Sequence, residues 1–386
     1  MSSKANYDYI IIGAGAAGLH LAMAFAQDQR FSDKRMLILD PDDKLKNDRT
    51  WCFWEQGPSQ WDAIAHKQWH KGIYFSPESK IDLDMGAYIY KKVRGIDFYN
   101  HARTIIAKNN RIDWLQEAVN SVSDDVNPVV SCESGASFTC THVFDSRIPD
   151  SFQSTSDSFI RIQQHFLGWV VKVKEPIFDS DAFTVMDIRV VYKDTTCFTY
   201  VLPTSPYEAL VEFTLFTPDL IGMQDYEACL KQYMSECVGA SDFEILETEY
   251  GIIPMTDFPF TAFNTNSITR IGTGGGWVKP ATGYSFMNAS KFSQRILQNL
   301  VEGKKPSNGL MSHRHRKYDI LLLDIFSRSN HLGNGIFKQL WSKNPAHRIF
   351  SFLDETTSFT DDVRVISSLK PGPFLRALAN QWKKWI

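Results

Sequence analysis

The strongest chemical signal in the chain is the hexapeptide GAGAAG at positions 13 to 18, a G-x-G-x-x-G pattern with Gly13, Gly15 and Gly18 at its fixed points. It follows the apolar run Tyr7 to Ile12 directly, and it opens the small, apolar, helically spaced stretch Ala16 to Gln27. In that context each glycine serves a separate purpose. Gly13 makes the tight turn, Gly15 lets backbone amides reach a pyrophosphate, and Gly18 lets helix and strand pack closely. The helix dipole beginning at Ala16 adds attraction for the anion. Asp40 ends a second apolar run, Met36 to Leu39, about 20 residues on, where an acid accepts hydrogen bonds from the adenosine ribose.

This fingerprint alone does not separate NAD from FAD. A second glycine-rich turn, Gly272 with Thr273 to Gly276, leads through Tyr284 into the helically spaced stretch Ala289 to Leu300. A simple dehydrogenase has no need of it, so the dinucleotide expected is FAD. Arg49, closing the charged loop after Asp40, and Asp145, at the end of the apolar run from His142, complete the cofactor-side positions read from the first half of the chain.

The elements that must carry these residues follow from periodicity. Tyr7 to Ile12, Ala16 to Gln27 and Met36 to Leu39 form a βαβ unit. Short alternating segments from Ser121 to Thr141, broken by Asn127-Pro128 and Ser134-Gly135, predict a small antiparallel meander that returns the chain to the nucleotide lobe. Strand-like runs dominate from Phe152 to about Pro259: Gly168 to Val173, Ala182 to Tyr192, Cys197 to Leu202 and Ala209 to Phe216, interrupted by one helix, Tyr226 to Cys237. The last hundred residues read as mainly helical. The expected fold is α/β, with a discontinuous FAD-binding domain of Rossmann type (1–60, 100–150 and 265–305), a substrate-binding sheet domain (61–99 and 151–264) and a helical C-terminal region (306–386).

Composition narrows the function. A chain of 386 residues is too long for one ordinary core, and 43% hydrophobic with 22% charged residues and a net charge of -3 is the balance of a soluble globular protein without a nucleic-acid partner. The six cysteines form no CxxC pair and have no histidine at zinc spacing, so free thiols are expected and no metal site. The start of the chain reads as a strand rather than a signal peptide, and no apolar run approaches the roughly 18 residues of a membrane span. Aromatic residues, 13% of the chain, are enough to line a long apolar cavity as well as fill a core.

Five segments taken in order, NDRTWCFW (47 to 54), QQHFLGWVVK (163 to 172), MDIR (186 to 189), LVEFT (210 to 214) and GTGGGWVKPATGYS (272 to 285), closely resemble bacterial lycopene β-cyclases. The resemblance implies a nucleotide domain of the glutathione-reductase type with a hydroxylase-like substrate sheet. It also implies FAD contacts at Gly13, Gly15, Gly18 and Asp40 and at the turn holding Pro280, Thr282, Gly283 and Tyr284, with Glu212 as the catalytic acid or base. Two departures matter. Thr273 stands where many related flavoproteins carry an aspartate for the ribityl chain, and Phe213 stands where the FLEET segment of plant cyclases has its second acid. The segment FLDET at 352 to 356 imitates FLEET, but it follows the glycine turn, whereas the family's acidic segment precedes it.

Such cyclases protonate a terminal double bond of lycopene, let the carbocation close a six-membered ring, and remove a different proton to leave a β-ionone ring. Applied to both ends this gives γ-carotene and then β-carotene, an isomerisation without net redox. Reduced FAD, kept so by NAD(P)H, is expected in a non-redox role, its negative charge held by the amides of Thr282 to Tyr284 at a helix N-terminus and steadying the cation. Leu210, Val211, Phe213 and Leu215 around Glu212 predict burial and a raised pKa; an edge-strand or salt-bridged glutamate is the alternative. Asp187 and Arg189 are expected to pair with each other, and His165 and Trp169 to pack. After Pro371-Gly372-Pro373, the residues Phe374, Leu375, Leu378, Trp382 and Trp385 fall near one helical face, with Arg376, Lys383 and Lys384 elsewhere. That stripe suits either a membrane surface or the protein's own body. A polyene resides in lipid, so the expected location is the bacterial cytoplasm, at the inner face of the cytoplasmic membrane. The rival reading is an FAD-dependent monooxygenase or oxidoreductase on an isoprenoid or aromatic substrate.

Overall fold

The structure is a computed structural model that describes residues 5–154 and 159–385. The parts of the expected domains at 1–4, 155–158 and 386 lie outside the described residues. A five-stranded parallel sheet carries the glycine fingerprint, with Tyr9–Ile12 at its centre between Met36–Asp40 and His142–Asp145, and Ile112–Gln116 and Ile268–Arg270 at its edges. Its strands are short apolar runs because both faces are covered. Helices Ala16–Gln27, Gly95–Ile106 and Phe286–Val301 pack on one face through Leu19, Phe98, Ile296 and the strand residue Phe144. Ile10, Leu37 and Val143 point the other way, onto a small sheet that includes the predicted meander, Val119–Val122, Val129–Cys132 and Ser137–Thr139.

The second lobe is a seven-stranded sheet ordered Phe243–Thr256, Arg161–Val173, Glu208–Thr217, Cys197–Ser205, Ala182–Asp187, Lys71–Ser76 and Ser79–Leu83. The strict alternation of a half-buried strand divides its residues between two sides. Val211, Phe213 and Leu215 meet Tyr226 and Leu230 of helix Met223–Tyr233, while Leu210 and Phe216 face the C-terminal helices. The strand expected to run from Ala182 to Tyr192 ends at Asp187. There the Asp187 carboxylate accepts from the Arg189 amide (3.1 Å) and pairs with its guanidinium (2.5 Å), which turns the chain. The expected pairing is thus present. His165 is buried and wedged between Tyr226 and Thr217, a packing role.

Thr50–Gln56, Lys67–Trp69 and Tyr88–Arg94 form a separate three-stranded sheet between the lobes. Beyond the last glycine turn come His313–Arg328, Gly333–Lys343, Ala346–Leu353, Phe359–Ser367 and Pro371–Trp385, helices that close over the seven-stranded sheet. Among the described residues no helix is long and apolar enough to cross a membrane. The predicted stripe on the last helix divides. Ala377 and Gln381 turn inward, Phe374 reaches the interior, and Leu375, Leu378 and Trp382 remain exposed. Trp385 packs against the C-terminal core, and the Lys383 and Lys384 side chains lie outside what the structure describes. All six cysteines are free.

Candidate active site

The glycine fingerprint folds as its spacing requires. The amide of Gly13 donates to the Leu39 carbonyl (2.7 Å) with φ at +98°, and a Cβ there would come within 2.0 Å of Ser146 Oγ. A Cβ on Gly18 would meet the Gly13 carbonyl oxygen at 1.9 Å, so no other residue lets helix and turn close so tightly. Gly15, by contrast, has nothing within 4 Å of a would-be Cβ: it faces open space at the start of the helix whose first residue is Ala16. An open cradle of backbone amides at a helix N-terminus fits a pyrophosphate.

Asp40 lies beside this turn, with Oδ2 accepting from the Ala14 amide (2.6 Å) and Oδ1 from the Asp42 amide (2.8 Å). It therefore braces the glycine loop, and Lys44 Nζ lies 3.4 Å from the same Oδ1. Asp145 is placed differently from its expected role. It is fully buried, its carboxylate held by Arg147 (2.9 Å) and Arg270 (2.8 Å), so it fixes the end of its strand rather than facing a dinucleotide. Two guanidiniums are the physical reason that buried charge is tolerated.

The second glycine turn rests on the first helix, since a Cβ on Gly272 would stand 3.0 Å from that of Ala17. From it Thr273 and then Thr282, Gly283 and Tyr284 reach the wall of a cavity of about 610 Å³ between the lobes. Arg49, exposed and paired with Asp48 (2.9 Å), lines the same cavity, whereas Pro280 lies off it, beside Thr273 in a narrow neighbouring recess. The expectation for the Thr282 to Tyr284 amides needs correction. Thr282 and Gly283 both donate to the Lys279 carbonyl (3.2 and 2.9 Å), and Tyr284 leans on Thr282 Oγ1 (3.4 Å). The helix begins only at Phe286, so its acceptor-free first amides lie just beyond the turn. The Gly283 φ of +74° is what folds the turn back on itself.

Glu212 opens onto this cavity from a central strand of the seven-stranded sheet. Thr214 Oγ1, on the same face, donates to its Oε1 (2.9 Å). Burial, and next the charge of Glu249, push the Glu212 carboxyl up to about 8, so it keeps its proton at neutral pH. Around it stand Tyr90, Tyr200 and Tyr284, whose hydroxyls are linked in a chain (Tyr90 to Tyr284 2.8 Å). The rest of the wall is largely apolar and aromatic, including Trp54, Phe198, Phe216, Phe337, Trp341 and Phe350. Such a site combines a protonated acid with ring faces that stabilise positive charge. Among the described residues no group of three or more His, Cys, Asp or Glu is arranged to hold a metal ion.

The acids of the FLDET imitation are committed elsewhere: Asp354 accepts from Trp54 Nε1 (2.8 Å), and Glu355 pairs with Lys279 (3.0 Å). Phe352 and Leu353 of that segment nevertheless line the cavity. Sequence reasoning missed Glu249, Tyr90 and Tyr200, which carry no motif. Only the pairing register of distant strands brings them to Glu212.

The fold is of the Rossmann-type FAD-binding class, with a helical C-terminal region. It is similar over 98% of this chain and 100% of the other to a geranylgeranyl bacteriochlorophyll reductase-like protein from Thermoplasma acidophilum (TM-score 0.62, 12% identity). It is also similar to the flavin-dependent brominase Bmp2 (TM-score 0.59, 14% identity, 98% and 100% of the two chains). A variant of halogenase PltM in complex with FAD matches with TM-score 0.60 and 15% identity over 96% of this chain and 85% of the other. No curated protein matches the sequence significantly. The family model described as lycopene cyclase protein matches residues 8–379, and the chain belongs to that family.

Proposed function

We propose that this protein binds FAD between the two glycine turns and cyclises the acyclic ends of lycopene to β-ionone rings, an intramolecular isomerisation. The observation that carries this reading is Glu212: a carboxyl held protonated at neutral pH on the wall of an apolar, aromatic cavity, facing the turn that carries Tyr284. Family membership supports a carotenoid substrate, and the flavin-dependent brominase and the FAD-bound halogenase support the cofactor.

Once bound, FAD kept reduced by NAD(P)H would supply negative charge to this site. The chain's own residues do the rest. Glu212 donates its proton to the terminal double bond, the six-membered ring closes on the cation, and a neighbouring ring proton leaves to form the new double bond, so substrate and product are isomers. Trp54, Phe198 and Phe216 put aromatic rings on the wall, and a ring whose face lies directly against positive charge is worth about 0.5–2 kcal/mol. The largely apolar wall offers the cation few groups that could capture it. Leu375, Leu378 and Trp382, exposed on the last helix next to cavity-lining Phe374, suit docking at the inner face of the cytoplasmic membrane, where the polyene is collected.

Anaerobic incubation with lycopene, FAD and NADPH in deuterated water tests this directly. The expected result is solvent-derived deuterium in each new ring without stoichiometric NADPH oxidation. Product formation that requires O2 would instead mark an oxygenase.

A further inference from the structure

Four residues form one row across the second lobe. In the strand register Glu249 lies opposite Gly168, Gly168 opposite Glu212, and Glu212 opposite Tyr200, so all four positions share the cavity face. Neighbouring strands are about 4.8 Å apart, which leaves the two glutamates roughly 10 Å apart at Cα with only a glycine between them. That glycine matters: a Cβ at Gly168 would already touch Glu212 Cβ and Cγ at 3.4 Å, so the glycine leaves the side of Glu212 toward Glu249 open. Both glutamates line the same cavity.

Resting on the cyclase reading above, we propose that Glu249 and Glu212 form a carboxylate couple across Gly168, Glu212 donating the proton that starts ring closure and Glu249 accepting the proton that leaves the ring. The division of labour follows from their partners. Glu249 Oε1 accepts the Thr50 amide (3.1 Å), a bond that favours its ionised form, and it sits on the edge strand of the sheet. Glu212 lies on an interior strand, where its Oε1 accepts the Thr214 hydroxyl. The charge of Glu249 helps raise Glu212, so an ionised Glu249 favours a protonated Glu212. After turnover Glu249 releases the ring proton to solvent and Glu212 takes one back, so the couple regains its single proton and no electrons move.

The groups facing the couple are Lys92 and Tyr90 from one strand of the small sheet, Arg49 and Cys52 near and on another, Tyr200 from the neighbouring strand and Tyr284 from the glycine turn. Lys92 is the cation that acts on both carboxylates, lowering each. Burial nonetheless raises Glu249 as well as Glu212.

The test compares wild type, Glu249→Gln, Glu249→Asp and Glu212→Gln as flavin-loaded proteins, with two readouts: the products formed from lycopene, and carboxyl titration by infrared difference spectroscopy without substrate. Glu249→Gln is expected to slow β-ring formation by about 100-fold or more, to divert the cation to another double-bond position or to a hydrated product, and to move the Glu212 titration to lower pH. Glu249→Asp keeps the charge and therefore keeps the high titration while turning over slowly. A Glu249→Gln protein that is merely slower, with β-ring product and unchanged titration, marks a structural glutamate and overturns the couple. Absence of any ring product from wild type would refute the cyclase reading alone, and the titration difference then decides the couple by itself.

Discussion

Lys279 and Asp319 meet in a buried ion pair, Nζ to Oδ2 3.1 Å, that ties the second glycine turn to the first of the C-terminal helices. Glu355 closes the triad at 3.0 Å, and the carbonyl of the same lysine accepts the amides of Thr282 and Gly283. One residue thus shapes the turn with its backbone and anchors the helical cover with its side chain.

Replacing Lys279 by Met takes the paired ammonium from buried Asp319 and from its neighbour Glu355, and breaking such a buried pair costs about 3–5 kcal/mol. Denaturant unfolding at neutral pH is expected to show that loss. Burial already lifts Asp319 to about 6 against its partner's pull, so without the lysine acidification protonates Asp319 and restores part of the stability. Adding Asp319→Asn and Glu355→Gln to the variant should do the same at neutral pH. A loss independent of pH and of those substitutions would contradict the assignment.

Glu212 makes a pH prediction whose sign is fixed. Its folded pKa of about 8 lies above the ordinary 4.5, so between those values the folded chain holds a proton that the unfolded chain has released. Stability from this group therefore falls as pH rises from about 4.5 to about 8 and levels off beyond. The unfolding midpoint of Glu212→Gln should fall less over this window than that of wild type. Cyclisation should fall along a basic limb near 8 in wild type, and the variant should lose about 100-fold to 10,000-fold in rate while keeping its flavin.

Two of the three fingerprint glycines, Gly15 and Gly18, should respond oppositely to substitution. Gly15→Ala meets open space and extended backbone, so thermal stability of the unliganded chain should hold while FAD affinity, read by equilibrium dialysis, collapses. Gly18→Ala drives a methyl into the Gly13 carbonyl and should cost about 3 kcal/mol in stability itself.

Leu375 and Trp382 are 61% and 56% exposed on the last helix. Changing both to Ser removes apolar area worth at least about 1.4 kcal/mol in a lipid surface, a tenfold fall in vesicle binding. Cosedimentation with phospholipid vesicles measures this. Melting temperature should not move, because neither side chain belongs to the core.

Local pattern was enough for the nucleotide lobe. The βαβ unit, its glycines and the helix from Ala16 to Gln27 follow from short-range spacing, because a turn with no room for a Cβ and a strand buried on both faces leave their marks in consecutive residues. The apolar neighbours of Glu212 likewise announced burial, since alternation along one strand says which residues share a face.

Everything that depends on residues far apart in sequence was decided by the tertiary structure. Glu249 reaches Glu212 only through the register of three strands, Tyr90 and Tyr284 only through contact of the small sheet with the glycine turn, and Asp145 lost its expected place because Arg270 arrives from the far end of the chain. The last helix shows the same division. Its apolar stripe was legible, but the direction that Phe374 and Leu375 each take depends on which side of the helix meets the body, a choice made by packing rather than by periodicity.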